Sequence, residues 1–251
     1  MPRRFRGVMM AIKGDSSGSV ETHGRARRRR FIVLKKWSAF ELLISLLAMV
    51  IVTPFVEDLA HGPLIEGMLL TFVMASAVLA VSDRRSALWI AVAIALLAIA
   101  GRWVHHFDAG RFPQAIYLAP SLALLAFVLV QYLRYILQAP VVTFVVLCAA
   151  ASTYVMLGLL WTMAYVLDAS IEPNAFASTL TPNTPNLMTG FNAFYFSFVT
   201  LSTVGYGDIV PVSKVARMLA TMEAITGTLY VAMLIARLVS MHASTRSEHS
   251  N

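Results

Sequence analysis

The sequence predicts an all-α integral membrane protein with six transmembrane helices and a half-length re-entrant helix between the fifth and the sixth. Hydrophobic residues make up 58% of the 251 residues and charged residues only 13%, whereas a soluble domain has about 45–50% apolar and about 25% charged residues. The apolar residues occur in long segments instead of alternating with polar residues as in membrane strands. These observations exclude an ordinary soluble domain and favour helices, which satisfy their backbone hydrogen bonds within each segment.

Six segments approach the roughly 20 apolar residues that a helix needs to cross the hydrocarbon core. Short polar connections separate the first five, and a longer stretch precedes the last. Little of the chain is therefore left for a domain outside the membrane. The predicted spans are 37–56, 64–81, 87–104, 115–137, 141–167 and 215–239.

Lys and Arg are concentrated in the first 36 residues, which hold 11 of the 20 and are also rich in Gly and Ser. Short segments rich in Lys and Arg remain on the cytoplasmic side. With this tail inside, sixteen basic residues are cytoplasmic and four are external, which predicts two cytoplasmic termini in the cell (plasma or inner) membrane. We expect a flexible tail that contacts anionic lipid headgroups. The lack of a helical pattern in it argues against nucleic acid as a partner.

The connection between the fifth and sixth spans differs from the others. Residues 168–190 are polar and contain three prolines, as expected of an external loop. Residues 191–201 (FNAFYFSFVTL) are apolar and aromatic, but about 11 helical residues rise only about 16 Å, half the width of the core. This segment is predicted to enter the membrane and turn back. A helix lying flat at the interface is the alternative.

The residues that follow, 202–208 (STVGYGD), favour the re-entrant helix. Residues 194–211 (FYFSFVTLSTVGYGDIVP) closely resemble the pore signature of potassium channels, and six spans with this loop before the last resemble the six-helix members of that family. The close resemblance covers about residues 190–237. It implies a pore helix and a selectivity filter, and the sequence as a whole divides into four predicted domains. These are a basic tail (1–36), a four-helix domain resembling a degenerate voltage sensor (37–138), a pore domain (139–241) and a short cytoplasmic tail (242–251).

A potassium ion without its hydration shell needs several oxygen ligands, which a ring of backbone carbonyls from four chains supplies. The candidate K⁺ ligands are the carbonyls of Thr203, Val204, Gly205 and Tyr206, with the Thr203 hydroxyl at the inner entrance. Gly205 and Gly207 lack a Cβ atom and therefore permit conformations that turn successive carbonyls the same way. One such segment in each chain predicts a homotetramer.

Other residues are expected to support this segment. The side chains of Val204 and Tyr206 should face away from the ions and pack against Tyr195 and Phe196 of the pore helix. That helix runs inward, so the partial negative charge at its carboxyl end, near Thr200, favours a cation. The remaining support candidates are Ser202 and Asp208.

Two residues of the sixth span are gating candidates. Gly227, 19 residues after Asp208, matches the inner-helix glycine of potassium channels, where the resemblance implies a hinge; close helix packing is the alternative. Glu223 lies one turn earlier, and a carboxyl group inside a span normally faces a cavity or a partner. We hypothesise that Glu223 forms hydrogen bonds behind the filter and modulates gating. The alternative is a protonated structural carboxyl.

Two features of the wider family are missing. Some bacterial potassium channels carry a Glu in the pore helix that pairs with the aspartate after the filter, but Val199 stands there, so Asp208 lacks that partner. The fourth span carries only Arg134, whereas a voltage sensor needs several charges, each worth about 2.3 kcal/mol per 100 mV. The sequence therefore gives no support for filter inactivation of that type, and we expect no strong voltage dependence.

The predicted function is passive, potassium-selective conduction, without enzymatic activity and without a cofactor besides the permeant K⁺. A less selective monovalent cation channel is one alternative, because Ser202 stands where a second Thr is more common in the family. A non-conducting regulatory channel subunit is another. A transporter would use Glu223 as its coupling residue.

Overall fold

The structure is a computed structural model that describes residues 39–56, 59, 61–80, 85–107, 115–180 and 187–248. The predicted basic tail, 1–36, with its lipid contacts, lies outside the described residues. Within the described ranges the chain forms seven helices and a two-stranded sheet. The helices are α1 Ala39–Val56, α2 Gly62–Ala80, α3 Arg85–Phe107, α4 Ala115–Gln138, α5 Phe144–Ile171, α6 Gly190–Leu201 and α7 Lys214–Glu248.

A helix lies over each of the six predicted spans, and α6 coincides with the predicted half-length helix. Among the described residues, α1, α4, α5 and α7 are long and apolar enough to cross a membrane. The apolar stretches within α2 and α3 are shorter, Gly67–Val78 and Leu88–Gly101. The prediction of a mostly helical chain with several apolar helices is confirmed.

Hydroxyl side chains inside the helices bond to carbonyls of their own helix. Thr53 Oγ1 donates to the Met49 carbonyl at 2.7 Å and Ser152 Oγ to the Cys148 carbonyl at 2.8 Å. A side chain that bonds to the preceding turn leaves no polar group facing an apolar neighbour. These helices are therefore suited to a surrounding that offers no water.

The helices pack in chain order. α3 lies on α2 and α4, α4 on α5, and α6 contacts both α5 and α7. A core of buried aliphatic side chains joins α1 to α5, and its most enclosed members are Leu42, Leu46, Leu124, Val128 and Met156. At the other end of α7, Arg237 Nη2 donates to the carbonyl of Ala139, between α4 and α5, at 2.9 Å.

The sheet departs from the all-α prediction. Strands β1 Phe176–Ser178 and β2 Ile209–Pro211 pair antiparallel, and β1 lies in the stretch that was predicted as an irregular external loop. Three residues per strand are too few for a visible alternation of apolar and polar residues. The strands are held because Phe176 and Ile209 are buried in an apolar cluster with Tyr165 and Phe196.

α7 continues to Glu248, beyond the predicted end of the sixth span at 239. Residues 240–248 (SMHASTRSE) contain neither Gly nor Pro, so nothing in this polar stretch ends a helix that has already formed. Most of the predicted cytoplasmic tail, 242–251, is therefore helical.

Candidate functional site

α6 is fixed by its aromatic side chains. The ring of Phe196 meets Tyr165 of α5 edge to face, with centroids 5.0 Å apart, and Phe176 of β1 at 5.4 Å. Edge-to-face pairs contribute about 0.5–1.5 kcal/mol beyond the area they bury. Phe196, predicted as a support for segment 203–207, therefore anchors α6 against α5 and β1.

The chain leaves α6 by folding back on its last turn. The N–H of Thr203 donates to the Thr200 carbonyl and the N–H of Val204 to the Val199 carbonyl, both at 2.9 Å. The Ser202 hydroxyl donates to the Phe198 carbonyl at 2.6 Å. The N–H groups at the start of the segment thus point toward α6 and satisfy carbonyls at the carboxyl end of that helix.

Every second residue of the segment has a left-handed backbone. The φ angles are 60° at Thr203, 57° at Gly205 and 79° at Gly207. The two glycines adopt this conformation without a steric penalty. Thr203 was not expected to, because a β-branched side chain at positive φ is strained by about 1–3 kcal/mol and persists only where its surroundings hold it.

The carbonyl oxygens of the segment divide into two groups. Among the described residues, no hydrogen bond is accepted by the main-chain carbonyls of residues 203–206. The next two carbonyls, of Gly207 and Asp208, both accept bonds from Thr179. The segment therefore offers a run of four unpaired oxygens, and these are the ligands that a desolvated monovalent cation requires.

Tyr195 contacts the end of the segment that follows Tyr206, in a way that sequence reasoning missed. Its ring stacks on that of Tyr206, with centroids 6.3 Å apart and planes at 2°. Its hydroxyl donates to Asp208 Oδ2 at 2.8 Å, while Oδ1 accepts from the N–H of Ile209 at 3.0 Å. Asp208 lacks the Glu partner, but Tyr195 supplies a different one. The side chain of Val204 is exposed in the single chain.

Glu223 is completely buried behind α6 and links three helices. The Tyr165 hydroxyl of α5 donates to Oε2. On α6, Ser197 Oγ lies 2.6 Å from Oε1 and 2.7 Å from the Gly158 carbonyl of α5. A hydroxyl has one hydrogen, so Ser197 can bond to both oxygens only if it donates to Gly158 and accepts a hydrogen bond from a protonated Glu223. The geometry thus favours a neutral carboxyl group.

Two glycines let α6 approach its neighbours. A methyl group at Gly227 of α7 would overlap the carbonyl oxygen of Leu201 and lie 2.8 Å from its Cδ1. A methyl group at Gly158 of α5 would lie 2.6 Å from Cζ of Phe198. This geometry supports close helix packing at Gly227, the predicted alternative to a hinge. The hinge stays a prediction.

Among the described residues, no group of three or more His, Cys, Asp or Glu side chains could hold a metal ion. The run of carbonyls at 203–206 is therefore the candidate site for a cation.

Comparison with known proteins identifies the carboxyl-terminal part of the chain. Residues 141–243 match a family described as "Ion channel". Similar proteins include Two-pore potassium channel 4 of Arabidopsis thaliana, 34% identical over 88 residues, which are 35% of this chain and 30% of that protein. The Voltage-gated potassium channel Kch of Escherichia coli is 56% identical over 46 residues, 18% of this chain and 10% of that protein. No solved structure matches the chain.

The inward rectifier potassium channel Kirbac3.1 of Paramagnetospirillum magnetotacticum is 31% identical over 80 residues, 32% of this chain and 24% of that protein. The chain thus covers less than a third of the length of each of these three relatives. The fold and these matches define a multi-pass membrane protein of the ion-channel class. The match of residues 141–243 and the similarity to potassium channels support the family predicted from residues 194–211.

Tyr195→Phe removes the hydroxyl that donates to Asp208 and keeps the ring that stacks on Tyr206. A hydrogen bond to a charged group contributes about 1.5–3 kcal/mol. We therefore expect potassium flux through purified protein in liposomes to decline faster than in wild type. Tyr230→Phe is the matched control, because it also loses one hydroxyl bond, to the Ala150 carbonyl at 2.7 Å, where α7 meets α5. Wild-type flux in Tyr195→Phe would show that the bond is dispensable.

Gly227→Ala places a methyl group against Leu201. Overpacking of this kind costs about 1–3 kcal/mol, so we expect a lower melting temperature of the purified assembly. Thr228→Ala is the control, because its hydroxyl bonds within α7, to Ala224, and the change adds no volume. An unchanged melting temperature with altered open probability would contradict the packing role and support the hinge.

Proposed function

We propose that the chain forms a potassium-selective channel that conducts K⁺ passively. The observation that carries this proposal is the run of unpaired carbonyls from Thr203 to Tyr206, with left-handed residues at alternate positions. Such a run replaces the hydration shell of K⁺ with oxygen dipoles that need no further partner. The matched ion-channel family and the potassium channel relatives support the same function.

The permeant K⁺ would be held by the carbonyls of Thr203, Val204, Gly205 and Tyr206. One chain contributes one oxygen at each level, which is too few for a desolvated ion, so four chains must surround the path. This supports a homotetramer. The apolar face of α7 is exposed in the single chain and is available to partner subunits; its members are Met218, Met222, Ile225, Leu229 and Met233.

The proposed architecture has six spans, both termini in the cytoplasm and the pore domain at 139–241. α6 re-enters the membrane, and its carboxyl end at Thr200 adds partial negative charge beneath the filter. The location in the cell membrane and the binding of anionic lipid by the tail at 1–36 are parts of the same proposal. The matched range, 141–243, supports the extent of the pore domain.

Strong voltage dependence is not part of the proposed function. Arg134 lies on the exposed face of α4 and is the single basic residue in that helix. One charge that moves across the full field contributes about 2.3 kcal/mol per 100 mV, and steep gating needs several.

We further propose that Glu223 controls the filter by holding α6 against α5 and α7. As a neutral group it satisfies Ser197 and Tyr165 without the cost of burying an ion. In this role Glu223 is a positioning residue and touches no ion.

Purified protein in liposomes tests the channel directly. We expect potassium flux through a tetramer, and a reversal potential in mixed Na⁺ and K⁺ solutions that follows K⁺. Gly205→Ala is the matched variant: a Cβ at φ 57° strains the segment although no atom lies within 4 Å of it. We expect this variant to assemble. Because strain at one such residue costs about 1–3 kcal/mol, we expect its potassium flux to be at least tenfold lower than that of wild type.

Verified tetramers without flux would overturn the channel and favour a regulatory subunit. Flux that follows Na⁺ as well as K⁺ would favour the less selective cation channel. Slow, saturable flux would favour a transporter.

Glu223→Gln is expected to conduct and melt like wild type, because an amide can donate to Ser197 and accept from Tyr165 as a neutral carboxyl does. Glu223→Ala leaves both hydroxyl groups without this partner, at about 1–3 kcal/mol for each buried group. We expect it to lower the melting temperature and to alter open probability. Equal damage from both variants would instead indicate an ionised carboxylate.

A further inference from the structure

The segment 175–179, which contains β1, lies along the residues that follow Tyr206. Thr179 donates its N–H to the Asp208 carbonyl at 2.8 Å. Its hydroxyl oxygen lies 3.1 Å from the Gly207 carbonyl oxygen and 3.3 Å from that of Asp208. At the other end, the Ala175 carbonyl accepts from the N–H of Val212 at 2.7 Å. The residues that follow Tyr206, 207–212, are thus bonded to segment 175–179 at both of its ends.

Segment 175–179 is itself fixed by contacts with α5 and α6. Ala175 is fully buried, and the ring of Phe176 lies edge to face against both Tyr165 of α5 and Phe196 of α6. The three paired positions of β1 and β2 set the register that brings Thr179 next to Gly207. Thr179 is therefore placed by the paired strand that directly precedes it.

Thr179 stands at the boundary between the two groups of carbonyls. Among the described residues, the carbonyls of 203–206 accept no hydrogen bond. The next two carbonyls, of Gly207 and Asp208, both accept hydrogen bonds from Thr179. Gly207, with φ 79°, could turn its carbonyl in several directions, because glycine has few steric limits. A bond from outside the segment is needed to select one of them.

We propose that Thr179 is a positioning residue whose hydroxyl fixes the peptide plane between Gly207 and Asp208, so that the run of coordinating carbonyls ends at Tyr206. This inference rests on the proposed channel function. Without the hydroxyl, the Gly207 carbonyl is free to reorient, and the outermost part of the filter loses its single arrangement. Thr179 acts through Gly207 and contacts no ion itself.

Two substitutions separate the hydroxyl from the shape of the side chain. Thr179→Val keeps the branched shape and removes the donor, whereas Thr179→Ser keeps the donor and removes a methyl group. One neutral hydrogen bond changes an equilibrium by about two- to tenfold. In liposomes we expect the K⁺ current of Thr179→Val to decline about two- to tenfold faster, less so at high external K⁺, while Thr179→Ser follows wild type.

Thr71→Val is the matched control, because its hydroxyl bonds within α2, to Gly67, at 2.7 Å. Thr179→Ala also lacks the hydroxyl and must behave like Thr179→Val; it replaces that variant if valine prevents assembly. Equal current decline in Thr179→Val and wild type would overturn the proposal. Equal acceleration in Thr179→Ser and Thr179→Val would also overturn it, since shape and not the hydroxyl would then matter.

A second measurement does not depend on conduction. Gly-Asp pairs occur in the sequence only at 14–15 and 207–208, so ¹³C-carbonyl glycine with ¹⁵N aspartate gives two solid-state NMR signals, one of them a reference. We expect the 207–208 signal to shift or split in Thr179→Val and to stay in place in Thr179→Ser. An unmoved signal in Thr179→Val overturns the positioning role. If the 207–208 signal shifts in Thr179→Val but the wild-type protein does not conduct, the channel function is overturned and the positioning role of Thr179 is not.

Discussion

The structure depends on keeping four consecutive backbone carbonyls, 203–206, without hydrogen-bond partners in the part of the chain that the structure describes. Protein backbones normally pair such groups, because an unpaired carbonyl away from water costs free energy. In this stretch the backbone donors are paired instead of the acceptors. The N–H groups of Thr203 and Val204 donate to carbonyls at the end of α6. Left-handed residues at alternate positions then maintain this division of donors and acceptors. A cation is the natural partner for oxygens arranged in this way.

α6 transmits this constraint to the rest of the chain, and three contacts of different chemistry hold it. Gly158 and Gly227 permit close packing against Phe198 and Leu201, which fixes the distance between helices. Glu223 joins Ser197 to α5 through hydrogen bonds, which fixes rotation, because these bonds need one orientation. The aromatic cluster around Phe196 packs α6 against α5 and β1. Apolar packing and directional polar bonds therefore restrict different motions of the same short helix.

The sequence predicted what is local and missed what joins distant parts of the chain. The six apolar segments, the half-length helix and the positive φ of Gly205 and Gly207 each follow from a short stretch. The bond of Tyr165 to Glu223 spans 58 positions and that of Thr179 to Gly207 spans 28, and no spacing rule connects such pairs. The left-handed Thr203 was missed for another reason, because residue preference alone disfavours a β-branched side chain at positive φ.

α7 contacts α5, α6 and the connection between α4 and α5. Its first half carries Glu223 and Gly227, which contact α5 and α6. Farther along the helix, Tyr230 donates to the Ala150 carbonyl of α5, and Arg237 donates to the Ala139 carbonyl between α4 and α5. One continuous helix therefore joins Leu201, at the end of α6, to the connection between α4 and α5.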